Sequence, residues 1–420
     1  MAKNTLTRRK LLATSGAAAS LNIVKSGTLF GAENSALSKL SVGFIGMGGQ
    51  IQGHVNNLVN QGQHVAAFCD VDRSQIEKSM DRHKNHVKDC KPYEDYRNLL
   101  EKEKSLDAVV IATPDHWHAP ICKAAMAAGK HVYCEKPLTH TIKEARELRD
   151  LSKASKVVTQ TGNQGSASAN LRRSMELIEA GVFGPIREIH VWHPKHNWPS
   201  GGVRPAGSDP VPEGLNWDFW CGPAPVRPYK QGIYHPVKWR GWYDFGNGFI
   251  GDFCCHSFNL ALRSLHLDYP KRISFTGEGF GTETFAKSCS VKYHFSKNAK
   301  RSHDVELNIY TGGGKDVPPD HAVEAAIKTF GSLPRVGCIF VGDKGMLSSG
   351  LWNSECYIKM NGEEKYVGEG NHEASKAIPQ SVPRSKGHMH EWVDACTVSY
   401  THLRAHETGR NLVCRLLLEK

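Results

Sequence analysis

A strand–helix–strand pattern between Leu106 and Pro137 restricts the chain to a narrow set of folds. The run Leu106–Ala112 is short, apolar and rich in β-branched residues, which predicts a buried strand. A helical pattern follows from Ala119 to Ala128, and His131–Cys134 is a second predicted strand. Two strands joined through one helix form a right-handed unit in which the strands lie parallel. We therefore predict a parallel α/β sheet in this part of the chain.

Polar residues follow each of these two strands. The first strand ends in Thr113-Pro114-Asp115-His116-Trp117-His118 and the second in Glu135-Lys136-Pro137. Ligands of parallel sheets bind beyond the carboxyl ends of the strands. The pattern therefore places His118 and Lys136 at the mouth of a cofactor crevice. The candidate cofactor-binding residues here are Thr113, Pro114, His118, Glu135 and Lys136.

A glycine-rich turn near residue 46 indicates which cofactor is bound. The apolar run Leu40–Ile45 is followed by Gly46-Met47-Gly48-Gly49 and then by a helical pattern through Val59. Strand, glycine turn and helix in this order form the dinucleotide-binding fingerprint, in which backbone N–H groups at the helix start hold a pyrophosphate. Ile51 occupies the position of the third glycine. The candidate contacts are Gly46, Gly48, Gly49, Gln50 and Ile51.

An acidic residue follows the next strand. Val65–Cys69 ends at Asp70, which lies 24 residues after Gly46, near the spacing at which an acid accepts the ribose hydroxyls of NAD. A carboxylate there would repel a 2′-phosphate, which favours NAD over NADP. Asp72 is the competing candidate, because an aspartate after a strand is often a helix N-cap.

The remaining pattern up to Gln164 completes an N-terminal domain. Ser74–Lys104 is charged and helical with a break at Lys91-Pro92, and Thr141–Lys153 is an amphipathic helix. A strand at Val157–Gln160 leads to Thr161-Gly162-Asn163-Gln164, which makes Asn163 and Gln164 further cofactor candidates. Five strands then alternate with helices, so we predict a Rossmann-type, doubly wound parallel sheet over residues 33–165.

The texture of the chain changes after residue 165. A helix is predicted at Ala169–Ala180 and a strand at Ile186–Trp192, and a loop-rich aromatic region follows from Trp198 to Tyr243. A long loop inside a compact chain is usually functional, and aromatic rings suit the faces of a sugar. The alternative is that the Trp and Tyr side chains pack the loop against its own domain, and we expect this to be the role of most of them.

Alternating residues predict an antiparallel sheet in the second half. The runs are Arg272–Phe275, Val291–Phe295 and Val305–Tyr310, with further strand-like pieces at Cys338–Val341 and Cys356–Met360 and a short helix at His388–Cys396. We assign residues 166–397 to a C-terminal α+β domain with a large, mostly antiparallel sheet. A helical pattern before this sheet carries Asp252 and His256, which are four residues apart and so share one helix face.

Both ends of the chain stand apart from this pattern. Thr7-Arg8-Arg9-Lys10 opens an Ala-rich stretch that resembles a twin-arginine export signal over residues 1–32; a disordered basic N-terminus is the alternative. Such a signal implies a periplasmic or otherwise exported protein. Residues 398–420 lack periodicity and resemble translated adapter sequence, so we predict a non-native tail that does not contribute to the fold.

Composition excludes several classes of protein. The net charge of +11 contains no Lys/Arg run long enough to indicate nucleic-acid binding. No stretch of 18 apolar residues is present, so no membrane span is expected. The twelve cysteines include no C-x-x-C pair, so we expect no metal site and interpret them as small buried side chains.

Taken in order, these motifs resemble the Gfo/Idh/MocA oxidoreductases, from about Leu40 to Thr397. The resemblance implies a Rossmann domain, a C-terminal domain with a large sheet that forms homo-oligomers, NAD(P) and a small carbohydrate substrate. Lys136 matches the family's Glu-Lys-Pro lysine, and Asp252 and His256 match its Asp-x-x-x-His pair. Asn259 stands where the family usually has a second aspartate, which affects the expected orientation of the substrate.

The exported branch of the family supplies further candidates. Trp198-Pro199 and Trp239-Arg240-Gly241-Trp242 resemble that branch, so Trp198, Arg240, Trp242 and Asn259 are the predicted substrate-binding residues.

The predicted catalytic residues are Lys136, Asp252 and His256. Oxidation of a secondary alcohol needs a base for the hydroxyl proton, and a histidine with a pKa near neutrality suits that role. Lys136 would stabilise charge on the oxygen, and Asp252 would orient His256 or bind a hydroxyl. Tyr243 and His196 are the next candidates for the base.

Three functions fit the motifs. The first is an NAD(P)-dependent oxidoreductase acting on a sugar, polyol or sugar derivative. The second is an exported glycoside hydrolase that uses NAD catalytically, through transient oxidation and elimination. The third, a non-catalytic binding protein, is disfavoured because Lys136, Asp252 and His256 are all present. The residues alone do not separate the first two.

Overall fold

The computed structural model describes residues 39–193, 197–312, 318–350 and 352–398. The predicted export signal at residues 1–32 lies outside the described residues, as does the predicted tail beyond Val398. Within the described part, no helix has the length and apolar character needed to cross a membrane. Each of the cysteines in this part is buried, as their interpretation as small buried side chains predicts.

The first half of the chain forms a six-stranded parallel sheet. Its strands are β1 (Ser41–Ile45), β2 (His64–Cys69), β3 (Lys91–Tyr93), β4 (Ala108–Ile111), β5 (His131–Glu135) and β6 (Thr159–Gly162). They lie in the order β3-β2-β1-β4-β5-β6, and the chain reverses its direction of travel across the sheet between β1 and β4. The predicted doubly wound sheet is therefore confirmed, and its ligand crevice is expected at that reversal.

Two details of this sheet differ from the prediction. The break at Lys91-Pro92 is a sixth strand, β3, which was missed because a short edge strand tolerates proline and carries little apolar signal. The last strand, β6, lies two residues later than predicted, at Thr159–Gly162.

Helices cover both faces of the parallel sheet. They are α1 (Ile51–Asn60), α2 (Arg73–Arg82), α3 (Tyr96–Lys102), α4 (Asp115–Ala127) and α5 (Ile142–Ala154). Alternate residues of the central strands bury themselves in two separate apolar clusters, one containing Phe44 and Val110 and the other Val109 and Ile111. Helix α4 starts at Asp115 rather than at Ala119, so the polar cluster after β4 forms its first turn.

The second half forms an eight-stranded sheet. Its strands are β7 (Ile186–His193), β8 (Arg272–Glu278), β9 (Ser288–Phe295), β10 (Val305–Thr311), β11 (Gly337–Gly342), β12 (Gly345–Ser349), β13 (Cys356–Met360) and β14 (Val367–Gly368). Their order is β14-β13-β12-β11-β7-β10-β9-β8, and every pair is antiparallel except β7–β10. The mostly antiparallel sheet is confirmed. The predicted homo-oligomer through this sheet stays a prediction.

Seven helices lie in the second half of the chain, within the described residues. They are α6 (Ala169–Glu179), α7 (Trp217–Cys221), α8 (Gly248–Ser257), α9 (Asn259–Ser264), α10 (Asp320–Phe330), α11 (Glu373–Lys376) and α12 (His388–Val398). Residues of α6, α8 and α9 pack on one face of the sheet in its main apolar cluster. Helix α10 covers the other face through Ala325 and Ala326, which contact Trp192 and Ile339.

The last helix belongs to the other half of the protein. Trp392 and Cys396 of α12 are fully buried in the same cluster as Val55 and Tyr133 of the parallel-sheet domain. The predicted C-terminal domain of residues 166–397 therefore contains a final helix that packs with the first domain. The helix ends at Val398, one residue into the predicted tail.

Candidate active site

A cavity of about 650 Å³ lies at the carboxyl ends of the parallel strands. The glycine turn, the ends of β2, β4 and β5, and side chains of the second half all line it. Of the residues predicted from sequence, the lining includes Gly46, Gly48, Gly49, Gln50, Asp70, Thr113, Pro114, Glu135, Lys136, Gln164, Trp198, Arg240, Asp252 and His256. We refer to it as the central cavity.

The glycine turn has the geometry that its motif predicts. Gly46 has a φ of +86°, and a Cβ there would lie 2.7 Å from the backbone of Ala112, so a larger residue does not fit. A Cβ on Gly48 or Gly49 would meet no atom within 4 Å, which leaves this backbone open to a ligand. Ile51 begins α1 with a fully buried side chain and does not line the cavity, so only its backbone could serve a cofactor.

Asp70 connects the end of β2 to this turn. Its Oδ2 accepts the N–H of Met47 at 2.6 Å and its Oδ1 accepts the N–H of Asp72 at 2.8 Å. Burial raises the pKa of Asp70 to about 6, although both N–H groups oppose the rise. Each carboxylate oxygen has more than one lone pair and so retains acceptor capacity for a ribose hydroxyl.

Asp72, the competing candidate, caps a helix instead. Its Oδ1 accepts the Ser74 N–H at the start of α2, and its Oδ2 lies 2.9 Å from His235 Nε2. Burial favours a higher pKa, but the hydrogen bonds from His235 and Ser74 outweigh it and lower the pKa of Asp72 to about 2. Unlike Asp70, Asp72 does not line the central cavity.

The residues present fit a dinucleotide. The open backbone at Gly48 and Gly49 can accept a pyrophosphate, and Asp70 lies where a ribose is expected. The buried Oγ1 of Thr113, at the end of β4, has no hydrogen-bond partner among the described residues, which marks it as a group that a ligand would satisfy.

Glu135 is held at the end of β5 by two side chains. His54 Nε2 donates to Glu135 Oε1 at 2.6 Å, and Gln164 Nε2 donates to the same oxygen at 2.7 Å. Burial alone would raise the pKa of Glu135, but the His54 hydrogen bond and the nearby positive charges lower it. A Cβ at Gly162 would lie 2.5 Å from Oε1, so the glycine on β6 gives this carboxylate its space.

Lys136 points from the parallel-sheet domain to α8. Its Nζ donates to Asp252 Oδ1 at 2.8 Å and to the Asp252 carbonyl at 3.0 Å. Arg240 Nε donates to the same Oδ1 at 3.2 Å. Burial opposes the charge of Lys136, but Asp252 outweighs it and raises the pKa of the lysine. The same two cations lower the pKa of Asp252 against the effect of its burial. A charged trio therefore lies on the cavity wall.

His256 is oriented by Asn163, not by Asp252. Its Nδ1 lies 2.9 Å from Asn163 Oδ1, and the Asn163 amide N–H donates to the Cys255 carbonyl, which fixes the amide orientation. Nδ1 therefore carries the proton, and Nε2, which has no hydrogen-bond partner in the part of the chain that the structure describes, is the acceptor. The ring packs on Trp352 with 3.9 Å between centroids. The predicted role of Asp252 in orienting His256 is wrong, because Asp252 pairs with Lys136 and Arg240.

The predicted near-neutral pKa of His256 is also wrong. Burial, followed by the charge of Lys136, lowers this pKa to about 3. The imidazole is therefore neutral over the physiological pH range. Asn163 lies behind His256 and does not line the cavity, so its predicted contact with the cofactor is replaced by a positioning contact.

The polar cluster Thr113–His118 mostly joins the two halves of the protein. His116 ring nitrogens lie 3.2 Å from the Phe245 carbonyl and 3.0 Å from the Trp220 carbonyl, and Trp117 Nε1 donates to the Phe219 carbonyl. His118 does not line the cavity. It is buried, with Nδ1 2.6 Å from the Pro137 carbonyl and Nε2 2.8 Å from the Thr113 carbonyl. The predicted direct contact of His118 with the cofactor is therefore corrected: His118 instead connects the segments that contain Thr113 and Pro137.

The aromatic region behaves as its packing interpretation predicts. Nine residues, among them Trp217, Tyr229, Tyr234 and Trp242, are buried in one cluster of their own. Trp242 is 1% exposed, donates from Nε1 to the Ile233 carbonyl and does not line the cavity, so its predicted substrate contact is corrected.

Trp198 and Arg240 remain as substrate candidates on the cavity wall. Trp198 stacks near Phe253, and the Arg240 guanidinium lies 4.2 Å from the Trp239 ring. Asn259 is buried and donates to Ser166 Oγ outside the cavity lining, so its predicted substrate contact is also corrected. Tyr243 lies outside the lining, and His196 lies outside the described residues.

Comparison with known proteins identifies the family. Residues 40–163 match a model described as an oxidoreductase family with an NAD-binding Rossmann fold, and residues 169–274 match the C-terminal alpha/beta domain of the same family. Together the two matches cover more than half of the chain. The chain belongs to the Gfo/Idh/MocA family of oxidoreductases. Its N-terminal domain is accordingly an NAD-binding domain.

Curated relatives match over a shorter stretch. An alpha-N-acetylgalactosaminidase of Tannerella forsythia is 31% identical over 155 residues, which is 35% of this chain and 33% of that protein. A glycosyl hydrolase family 109 protein of Shewanella sp. is 29% identical over 156 residues, 36% of this chain and 34% of its own. The matched region thus spans about a third of the length of these relatives.

Solved structures share the whole fold. The WlbA dehydrogenase of Bordetella pertussis, in complex with NADH and UDP-GlcNAcA, has a TM-score of 0.59 at 16% identity, covering 89% of this chain and 92% of the other. An inositol dehydrogenase homologue of Azotobacter vinelandii, with NADH and myo-inositol, has a TM-score of 0.56 at 17% identity, covering 86% and 87%. At these identities the likeness shows the fold.

Sequence reasoning missed several residues of the site. His54, on α1, holds Glu135, and Trp352 packs on His256; neither has a motif in the sequence. Asp115 lines the cavity and its Oδ2 accepts the backbone and side-chain N–H groups of Asn247. Burial, and then the neighbouring Asp252, raise its pKa to about 7. Its place directly after Thr113-Pro114 was the available signal.

Proposed function

We propose that the protein oxidises a secondary hydroxyl group of a sugar, polyol or sugar derivative with NAD. The observation that carries the proposal is the arrangement of His256 and Lys136 in the cavity that the glycine turn also lines. His256 Nε2 has no hydrogen-bond partner among the described residues, and Lys136, whose side chain is 16% exposed, is a cation held by Asp252.

The chain's own residues supply the proton transfer. His256 Nε2 would accept the hydroxyl proton, and the Lys136 ammonium would stabilise the oxygen as negative charge develops. Lys136 lowers the pKa of His256. An alkoxide forming between the two would offset that positive charge and so raise the basicity of the imidazole when it is needed.

NAD, when bound, supplies the acceptor for the hydride that leaves the carbinol carbon. Gly48, Gly49, Asp70 and Thr113 are the residues we expect to hold it, with Asp70 favouring NAD over NADP. Trp198 and Arg240 are the remaining candidates for contacts with the sugar.

A second function is a glycoside hydrolase that uses the same first step. Transient oxidation of a ring hydroxyl acidifies the neighbouring C–H bond, so that the glycosidic oxygen leaves by elimination, water adds and the ketone is reduced again. The names of the curated relatives, an alpha-N-acetylgalactosaminidase and glycosyl hydrolase family 109 proteins, favour this function. Both functions need the same His256 and Lys136.

One experiment separates the two functions. The purified protein is incubated with a panel of free sugars, polyols and glycosides, with and without added NAD, while reduced cofactor and released sugar are measured together. Accumulation of reduced cofactor with a ketone product supports the oxidoreductase. Release of sugar without net reduction supports the hydrolase. If neither signal exceeds that of the His256→Ala variant, the proposed function is wrong.

We also propose export by the twin-arginine route, on the sequence Thr7-Arg8-Arg9-Lys10 that precedes an Ala-rich stretch. Replacement of both arginines by lysine should retain the protein in the cytoplasm, as measured by cell fractionation. Unchanged export of that double variant would contradict the proposal.

A further inference from the structure

Three side chains that commonly bind metal ions meet on the second sheet, away from the central cavity. Glu188 and His190 lie on β7 and His321 lies on α10, and their donor atoms are all within 4.8 Å of one another. Ile189 and Val191 alternate with them on β7 and pack on the other face, in the cluster that includes residues of α8. The sheet therefore separates this group from α8, the helix that carries Asp252 and His256.

The distances match the coordination of a small dication. Glu188 Oε2 lies 3.1 Å from His190 Nε2 and 3.6 Å from His321 Nε2. Ligand atoms at about 2.1 Å from a tetrahedral Zn²⁺ are roughly 3.4 Å apart. These two separations bracket that value, and the ligand nitrogens of the two histidines lie within 4.8 Å of each other. One ion can therefore reach all three groups once the side chains adjust.

The surroundings hold the central ligand in place. The His190 side chain is 4% exposed, stacks on Tyr310, and has its Nδ1 3.2 Å from the Tyr310 hydroxyl. An oxygen partner on the second ring nitrogen is the usual support for a metal-bound histidine. Glu188 and His321 are each 46% exposed, so an ion and a coordinating water can enter from solvent.

We propose that Glu188, His190 and His321 form a binding site for Zn²⁺, with water as the fourth ligand. Two imidazoles and one carboxylate suit a transition-metal dication, whereas Mg²⁺ and Ca²⁺ take oxygen ligands. The bound ion joins α10 to β7. The cysteine pattern gives no signal for this site, because its ligands are a glutamate and two histidines from a strand and a distant helix.

The three groups can also meet without a metal ion. His190 Nε2–H can donate to Glu188 Oε2, and His321 Nε2 lies 3.6 Å from the same oxygen. A titration with metal distinguishes the two arrangements, because only the metal site binds one equivalent of Zn²⁺ through all three side chains.

The test is isothermal titration of the full chain, stripped of metal with a chelator, with Zn²⁺ alone. His321→Ala and Glu188→Gln remove exposed ligands and should leave the fold intact, as checked by circular dichroism. His64→Ala, which removes an exposed histidine on β2, is the control. We expect one equivalent bound by the wild type and by His64→Ala, with affinity at least tenfold weaker in the two ligand variants. The melting temperature should rise on Zn²⁺ addition only where that equivalent binds.

Two results would overturn the proposal. One is the absence of stoichiometric Zn²⁺ binding by the wild-type protein. The other is binding that His321→Ala and Glu188→Gln leave unchanged, since the ion would then lie elsewhere. Co²⁺ substitution adds an independent signal, because a four-coordinate site gives intense visible absorption that a hydrogen-bonded network does not.

Discussion

The two walls of the central cavity are built in different ways. The wall that we propose binds the cofactor, called here the cofactor wall, is formed by Gly46, Gly48, Asp70 and Thr113 and consists of short motifs at the ends of neighbouring strands. The opposite wall, which we propose faces the substrate and call the substrate wall, is formed by Arg240, Asp252, His256 and Trp352 and depends on contacts between distant segments. Lys136 and Asp252 are 116 residues apart in sequence, and Asn163 and His256 are 93 apart. Backbone geometry therefore defines the first wall and tertiary side-chain contacts define the second.

The largest expected effect is on the substrate wall. His256→Ala should lower turnover by about 10²–10⁴-fold, because the general base is lost. The affinity for NAD should stay within a few-fold, since the glycine turn and Asp70 remain. Steady-state kinetics on the identified substrate and a direct NAD titration measure the two quantities. Tyr243→Phe, outside the cavity lining, is the control and should retain activity.

The pH profile sharpens this prediction. Because burial and Lys136 lower the pKa of His256 to about 3, the free protein has no His256 titration near neutrality. His256 should therefore contribute no limb near pH 7 to the pH dependence of kcat/KM. Any limb that the wild type shows there should also be present in His256→Ala. Such a limb, or high residual activity of the variant, would mean that the base or its environment has been assigned wrongly.

Lys136→Met should reduce turnover by a comparable factor, since charge on the substrate oxygen would be unstabilised. It should also destabilise the fold at neutral pH, because Arg240 is then the one remaining described cation that pairs with Asp252. The pKa of Asp252 is lowered in the folded protein, so its contribution to stability is present above the unfolded pKa and disappears as pH falls through the folded value. Thermal melts of both proteins at pH 7 and in acid should therefore converge at the lower pH.

The sequence predicts the cofactor wall better than it predicts the substrate wall. The glycine turn, Asp70 and the parallel sheet are visible because local spacing encodes them. The pairing of His256 with Asn163, and of His54 with Glu135, is not visible, since these contacts exist only after the domains pack.

Two of the wrong assignments arose because the residue type alone suggested contact with a ligand. The side chains of Trp242 and His118 could contact ligands, but in the folded protein both are buried and contact backbone carbonyls. Their exposure is a property of the folded chain, which spacing does not reveal.

On the cofactor wall, Asp70→Ala should weaken NAD by roughly 10–100-fold, in line with the loss of hydrogen bonds to a charged group. NADP should be affected much less, because its 2′-phosphate cannot donate to the carboxylate. Fluorescence titrations with both cofactors measure the difference. Equal losses for NAD and NADP, or none, would contradict the ribose assignment.

The pH dependence of NAD affinity follows from the same residue. Burial raises the pKa of Asp70 to about 6 in the cofactor-free protein, and ribose hydroxyls would stabilise the ionised form. Binding therefore has to release a proton below pH 6. NAD affinity should be constant above that pH and fall below it, by at most tenfold per pH unit. Affinity that is flat through this range would indicate that Asp70 does not meet the cofactor.

A pair of glycine variants tests whether backbone geometry defines the cofactor wall. Gly46→Ala should destabilise the fold by about 1–3 kcal/mol, since its positive φ and the contact with Ala112 both oppose a side chain. Gly49→Ala, whose Cβ would meet no atom within 4 Å, should change the melting temperature little and act as the matched control. Equal melting temperatures of the two variants would show that the turn adapts.

The smallest expected effect is that of removing the residues beyond Val398, and the helix that precedes them limits the contrast between the two walls. Helix α12 packs on β5, beside the cofactor wall, from far along the sequence: His388 Nδ1 lies 3.1 Å from the Tyr133 hydroxyl, across 255 residues, and Trp392 is buried beside Tyr133. The residues beyond Val398 are predicted to contribute nothing. A chain ending at Val398 should therefore keep the melting temperature of the full chain.

A chain ending at Gly387 is the informative comparison. It lacks α12 and loses the buried Trp392, whose removal alone should cost about 3–5 kcal/mol. Its melting temperature should fall steeply and its NAD affinity should fall with it, because β5 loses its support next to Glu135. A large drop already at Val398 would mean that the tail packs. An unchanged melting temperature of the chain ending at Gly387 would mean that the cofactor wall forms from its local motifs without help from α12.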